Sequence, residues 1–227
     1  MTARSVIAHR GSSHALPDNS PQAFEQAIAD GADMIEFDVR RTRDGVLVCH
    51  HDPDVDGRPV AELSADELAA ALGPHACTLD AVVQLAAGRI GLDVELKEDV
   101  GVEEAVAAVR RRFPAGEVVF TSFLPDVVRR VRAAWPAVRT GLLVDAQTPD
   151  LATAVRRARA CGATAVAPEL AVLDASPPDD APAEGHLPTY VWTVDDAGTL
   201  ERLLRDPRVT GVITNVPRRA LAIRDAR

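Results

Sequence analysis

The chain has 227 residues, 47% of them hydrophobic and 26% charged, a length and composition that suit one large α/β domain with a sizeable core. Its net charge of −9 argues against nucleic acid as a partner and against an anionic-membrane surface, both of which need a basic patch; it leaves room for a small phosphorylated substrate whose charge a bound cation offsets. No apolar run approaches membrane-spanning length, and Met1-Thr2-Ala3-Arg4 runs directly into a strand with no hydrophobic leader, so the expectation is a cytoplasmic protein without stable membrane insertion.

The first β-rich run, 6–8, ends on His9-Arg10-Gly11. Pro17-Asp18-Asn19-Ser20 then precedes a helical pattern over 21–29, where Asn19 or Ser20 suits the cap and Pro21 the first turn. Two β-rich runs, 34–42 and 46–51, flank Arg43-Asp44-Gly45, a hairpin signal, so the second folds back along the first. Counting outward from the turn puts His51 roughly across from Asp38. Alternation puts Glu36 and Asp38 on one face, with Phe37 and Val39 on the other, and turns His50 away from His51. Segment 53–77 reads as a short insertion forming a small lid. Further β-rich runs fall at 90–96, 118–122, 141–144, 165–168, 190–194 and 211–214, interleaved with helical patterns such as 103–112, 125–134, 151–160 and 200–205.

Regular alternation of strands and helices implies a parallel sheet. With the hairpin return set aside, eight strands remain, which predicts a compact (β/α)8 TIM barrel spanning 1–227 as a single domain, with a β-hairpin extension after the second strand. A doubly wound open sheet is the runner-up, unsupported by any G-x-G-x-x-G after the first strand. Barrel chemistry sits at the carboxyl ends of the strands, where His9, Glu36, Asp38, Glu95, Lys97, Ser122 and Thr193 fall.

Glu36, Asp38 and Glu95 offer only carboxylate oxygens, a set suited to a hard divalent cation, Mg²⁺ or Ca²⁺ first and Mn²⁺ next. Acidic alternation alone is usually a solvated face; the neighbouring histidines give it meaning. His9 and His51 beside a cation suit phosphodiester cleavage, one imidazole removing a proton from the attacking oxygen and the other protonating the departing alkoxide. Arg10 and Lys97 would offset phosphoryl charge. Of 25 basic residues Lys97 is the sole lysine, which points to a place where a planar guanidinium does not fit. Arg10 could instead brace a carboxylate, Asn19 could be a cap or a site ligand, and Trp192 could floor an alcohol pocket or fill the layer between barrel and helices.

Other features read as structural. His14, His50, His75 and His186 are taken as ordinary residues, and Cys49, Cys77 and Cys161, odd in number and without C-x-x-C spacing, as reduced buried thiols. The arginine clusters at 110–112, 129–132 and 156–159 fall on late helical turns and belong to an outer helical ring. Ser122 lacks the G-x-S-x-G elbow of a hydrolase triad.

In order along the chain, His9-Arg10-Gly11, Pro17-Asp18-Asn19-Ser20, Glu36-Phe37-Asp38, Thr42-Arg43-Asp44-Gly45, His51-Asp52, Glu95-Leu96-Lys97, Ser122-Phe123, Trp192-Thr193-Val194 and Gly211-Val212-Ile213-Thr214-Asn215-Val216-Pro217 resemble the motifs of the glycerophosphodiester phosphodiesterase family. The resemblance implies a (β/α)8 barrel, a divalent metal on Glu36, Asp38 and Glu95, and His9 and His51 as the acid-base pair. It also implies a small-molecule glycerophosphodiester substrate cleaved to glycerol 3-phosphate and an alcohol such as choline or ethanolamine. Asp18, Ser20 and Asn215 replace the family's Glu, Thr and Asp, and 53–77 lacks the Arg-Thr-Thr-x-Gly pattern of many relatives. The alternatives are a phospholipase D-like enzyme acting on lysophospholipids, which would need an apolar groove, and a non-catalytic phosphoester- or metal-binding barrel, which would not need two proton-transfer groups. The sequence specifies no oligomeric state.

Overall fold

A computed structural model describes residues 4–177 and 187–226; His186 lies outside them, as do Met1, Thr2 and Ala3. In chain order the strands are β1 (Ser5–His9), β2 (Met34–Arg41), β3 (Leu47–Cys49), β4 (Asp54–Val55), β5 (Arg58–Pro59), β6 (Gly91–Leu96), β7 (Val118–Ser122), β8 (Arg139–Val144), β9 (Ala165–Pro168), β10 (Tyr190–Val191) and β11 (Gly211–Thr214). The helices are α1 (Pro21–Asp30), α2 (Ala65–Leu72), α3 (Leu79–Ala86), α4 (Val102–Arg110), α5 (Pro125–Ala134), α6 (Leu151–Ala160), α7 (Leu170–Asp174), α8 (Ala197–Leu203) and α9 (Pro217–Asp225).

Parallel pairing runs β10-β11-β1-β2-β6-β7-β8-β9. The two ends of that order meet where Val166 bridges Thr189 and Glu169 bridges Trp192, closing the (β/α)8 barrel expected from the alternation of elements. Period-2 geometry sorts the apolar residues into two layers. Ile7, Met34, Val119, Leu143, Tyr190 and Ile213 form one cluster inside the barrel. Outward-facing residues of the same strands, such as Ile35, Phe37, Leu92 and Val94, pack beneath α1, α3 and α4 in another; Phe24 of α1 meets Phe37 edge to face, ring centroids 5.9 Å apart.

The hairpin forms between β2 and β3, with one correction. Its register pairs Val39 with Cys49, Arg40 with Val48 and Arg41 with Leu47, and the His50 N–H donates to the Asp38 carbonyl at 3.1 Å. His50, not His51, therefore lies across from Asp38. His51 has already left the strand.

Segment 53–77 holds the β4-β5 ribbon and α2, which opens on a capping box between Ser64 and Glu67. Val55, Val60, Leu63 and Leu68 bury themselves against Val48. The insertion thus packs on the hairpin and contributes no residue to the lining of the central cleft. The last predicted helix starts earlier than its periodicity suggests, because Asp196 caps it, accepting the Thr199 N–H at 2.8 Å.

The arginine clusters do lie on the outer helices, where Arg130 pairs with Glu103 and Arg111 approaches Asp80 at 3.7 Å. Cys49, Cys77 and Cys161 are free and buried. Among the described residues no helix is long and apolar enough to cross a membrane.

Candidate active site

Strand register and turn chemistry bring the expected residues to the carboxyl end of the barrel. His9 pairs with Glu36 across β1 and β2, and Glu36 and Asp38 lie opposite Asp93 and Glu95 on β6. After His9 the chain reverses through Arg10 and Gly11, with φ of 54° and 85°. A Cβ on Gly11 would sit 2.6 Å from the carbonyl carbon of Ala23, so only glycine fits. The turn aims the Arg10 backbone N–H at Glu36 Oε2, 2.9 Å away.

Asn19 is not the cap of α1; the Ser20 hydroxyl takes that part, accepting the Ala23 N–H at 3.2 Å. Asn19, left-handed at φ 53°, instead holds Asp38 from both sides, donating Nδ2 to Oδ2 at 2.8 Å and accepting the Asp38 N–H at 3.1 Å. His51 is fixed through its backbone. Arg40 donates to the His51 carbonyl at 3.0 and 2.7 Å and to Glu98 at 2.8 Å, while Asp52 Oδ1 lies 2.7 Å from the His51 Nδ1.

Glu36, Asp38 and Glu95 each present an oxygen within 4.8 Å of the others. Lys97 Nζ lies 2.7 Å from Glu95 Oε1 and 3.3 Å from Asp38 Oδ1. Arg10 Nε is 3.1 Å from Asp38 Oδ2, with a second nitrogen 3.0 Å from Asp18; Arg10 does brace carboxylates, and it also lines the cleft. Both cations answer to Asp38, and Glu36 keeps Oε1 buried with no hydrogen-bond partner among the described residues.

The charge states follow. Burial first, then the carboxylates of Asp38, Glu95 and Asp93, push Glu36 well above the usual carboxylate range. Burial and Asp38 push Glu95 up to about 7. Burial also acts upward on Asp38, but Lys97, Arg10 and the Asn19 amide outweigh it and hold that carboxyl below its ordinary value. Asp93, on the cleft floor, is raised to about 7 by burial despite the Thr121 hydroxyl donating to it at 2.8 Å. Burial, then the Arg10 charge, lower the His9 imidazole.

A divalent cation suits this cluster. Ionising the buried Glu36 and Glu95, both held above the ordinary carboxylate range, is costly unless positive charge joins them, and an all-oxygen donor set selects a hard ion.

The cleft is lined by His9, Arg10, Glu36, His51, Asp93, Glu95, Lys97, Thr121, Phe123, Leu143, Trp192, Thr193 and Ile213. Trp192 belongs to it rather than to the layer under the helices; it packs edge to face with Phe123 at 5.7 Å and donates Nε1–H to the Ala167 carbonyl at 2.8 Å. His14, His50 and His75 are not among its lining residues.

Of the expected strand-end residues, Asp38 lies behind the cleft lining as part of the carboxylate cluster, and Ser122 stays out of the site altogether. Its hydroxyl donates to the Leu96 carbonyl at 2.7 Å and accepts from the Leu124 N–H at 3.1 Å, and alternation turns its neighbour Thr121 inward instead. Asp93 shares the face of Glu95 by strand alternation, a local signal that gives it no role, and Phe123 is visible in the sequence only inside Ser122-Phe123. Arg40 carries no local signal, since its function depends on where the chain goes after β3.

Comparison with known proteins gives a consistent pattern. Residues 9–219 match the family described as Glycerophosphoryl diester phosphodiesterase family. A probable glycerophosphodiester phosphodiesterase 1 of Mycobacterium tuberculosis is 35% identical over 96% of this chain and 91% of its own. A glycerophosphodiester phosphodiesterase of Caldanaerobacter subterraneus is 28% identical over 93% of this chain and 94% of its own. Among solved structures, a glycerophosphodiester phosphodiesterase of Parabacteroides distasonis superposes with a TM-score of 0.83 at 26% identity, covering 100% of this chain and 99% of that one. An Oleispira antarctica phosphodiesterase in complex with the product sn-glycerol-3-phosphate shares the fold at TM-score 0.84 and 21% identity, covering 98% of this chain and 97% of that one.

Proposed function

The chain belongs to the glycerophosphoryl diester phosphodiesterase family, and from that membership we propose that it hydrolyses glycerophosphodiesters to glycerol 3-phosphate and an alcohol, its length working as one barrel domain. The observation that carries this reading is the convergence of His9, His51, Arg10 and Lys97 on one cleft beside the Glu36-Asp38-Glu95 cluster.

Cleaving a phosphodiester requires its charge to be offset, a proton to be taken from the attacking oxygen and a proton to be given to the departing alkoxide. Glu36, Asp38 and Glu95 would hold a divalent cation, Mg²⁺ or Ca²⁺ first and Mn²⁺ next, which when bound supplies positive charge against the phosphoryl oxygens. Arg10 and Lys97 face the same space and would share their charge between the carboxylates and the phosphate. His9 and His51 would form the acid-base pair, with water or a glycerol hydroxyl as the attacking group. Burial and Arg10 favour a neutral His9, able to accept a proton. Trp192 and Phe123 give the alcohol an aromatic wall, a surface favourable to a cationic group such as choline.

Phosphorus NMR of glycerophosphocholine incubated with the metal-replete protein tests the reaction class. Glycerol 3-phosphate should replace the diester; phosphocholine as the product, or no turnover by the folded protein with this substrate and with glycerophosphoethanolamine, would contradict the proposal.

A further inference from the structure

We propose that Asp195 and Asn215 form a positioning relay that fixes the imidazole proton of His9 on Nδ1 and leaves Nε2 as its working nitrogen. Neither residue lines the cleft. The Asp195 carboxylate accepts the Asn215 backbone N–H at 2.8 Å and the Thr214 hydroxyl at 3.0 Å on Oδ1, and the Asn215 side-chain Nδ2 at 2.7 Å on Oδ2. An ionised carboxylate offers no donor, so the Asn215 amide must turn its NH2 toward Asp195 and its carbonyl the other way. There Asn215 Oδ1 meets His9 Nδ1 at 2.8 Å, with the Ser13 hydroxyl 2.8 Å away and shared with the His9 carbonyl at 2.8 Å.

An amide oxygen also only accepts, so His9 makes its bond with a hydrogen on Nδ1. In the neutral ring the lone pair is then on Nε2, the nitrogen on the Glu36 side, 3.9 Å from Oε2. Each link has a direction. An acceptor-only group that never touches the ring sets its tautomer, in the way an outer carboxylate orients a histidine ligand or base.

The relay rests on the hydrolytic reading only for its kinetic consequence, because the tautomer is read without substrate. Long-range proton-nitrogen correlation NMR of the full chain, at a pH where His9 is neutral, reports which ring nitrogen is protonated. The wild type should show Nδ1–H. In Asp195→Asn, Oδ1 keeps its bonds to Thr214 and the Asn215 N–H, so the new NH2 faces the Asn215 NH2, donor against donor. The Asn215 amide then turns over and the His9 proton moves to Nε2. The reciprocal double variant, Asp195→Asn with Asn215→Asp, restores an acceptor opposite Nδ1 and returns the proton there.

The kcat should fall on the order of a hundredfold in the single variant with KM little changed, and recover in the double variant. A merely structural Asp195 would not invert a tautomer or be rescued by the swap. An Nε2–H wild type, an unaltered tautomer in Asp195→Asn, or a double variant still protonated on Nε2 would overturn the proposal. The expected tautomers in three folded proteins with no turnover by any would support the relay and count against the hydrolytic reading.

Discussion

Asn19 and Asp38 clasp one another by two opposed hydrogen bonds, Nδ2 to Oδ2 at 2.8 Å and Asp38 N–H to Oδ1 at 3.1 Å. A loop residue ahead of α1 thereby sets the orientation of a buried carboxylate on β2, and with it the geometry of the Glu36-Asp38-Glu95 cluster. Asn19→Leu removes both bonds at similar volume. Manganese affinity, measured by calorimetry on metal-stripped protein, should weaken roughly 10- to 100-fold, as is typical for the loss of an outer partner of a metal-binding group. An unchanged dissociation constant would contradict this role.

Arg40 acts on His51 through its carbonyl, with two bonds at 3.0 and 2.7 Å and a further tie to Glu98 at 2.8 Å. Arg40→Met should lower kcat on the order of tenfold to a hundredfold, because a displacement of about 1 Å at a reacting group has that effect, while KM and the thermal midpoint change little. Arg40→Lys should not restore the rate, since one ammonium lacks the planar fork that reaches both acceptors. Full activity in either variant would show that His51 needs no such anchor.

Gly11→Ala should damage the fold before it damages chemistry. The residue sits at φ 85°, which costs a Cβ-bearing residue roughly 1–2 kcal/mol, and the new Cβ would meet the Ala23 backbone at 2.6 Å. Each lost kcal/mol lowers the midpoint of a chain this long by about 2–4 °C. A variant melting with the wild type would mean that the turn and α1 relax apart freely.

The His9 ring should titrate below 6.5, because burial and the Arg10 charge oppose its protonation more than Asn215 and the carboxylates favour it. The sign for stability follows from linkage. The folded chain binds this proton less readily than the unfolded chain, so the group's contribution is full above the unfolded value and is lost as pH falls through that value toward the folded one. Carbon-detected titration of the metal-free protein checks it, and a His9 midpoint above 6.5 would refute it.

The barrel was legible because strand and helix periods are local, and alternation placed Glu36 and Asp38 together without knowledge of the rest of the chain. The hairpin register was not. The Thr42 N–H donates to the Val46 carbonyl at 2.9 Å around a loop with Gly45 at φ 87°, which sets Cys49 against Val39 and carries His51 past the last paired position. It reaches the cleft by leaving the strand, and the guanidinium that catches it is on β2. Segment 53–77 was readable as an insertion, but which side of the hairpin it covers depends on the apolar face of Val48, a tertiary match with no period to announce it. The Asp195-Asn215-His9 contacts join residues from three strand ends, so only the closed barrel reveals them.

The most direct test of the account is release of glycerol 3-phosphate from glycerophosphocholine by metal-stripped protein, with Mg²⁺, Ca²⁺ or Mn²⁺ restored, beside Glu36→Gln and His51→Ala. The stripped protein should be silent and at least one ion should restore turnover. Glu36→Gln should lose both ion binding and rate, and His51→Ala should keep the ion and lose the rate. Full turnover without metal, or undiminished turnover in either variant, would contradict a cation-assisted site with His51 as a proton-transfer group.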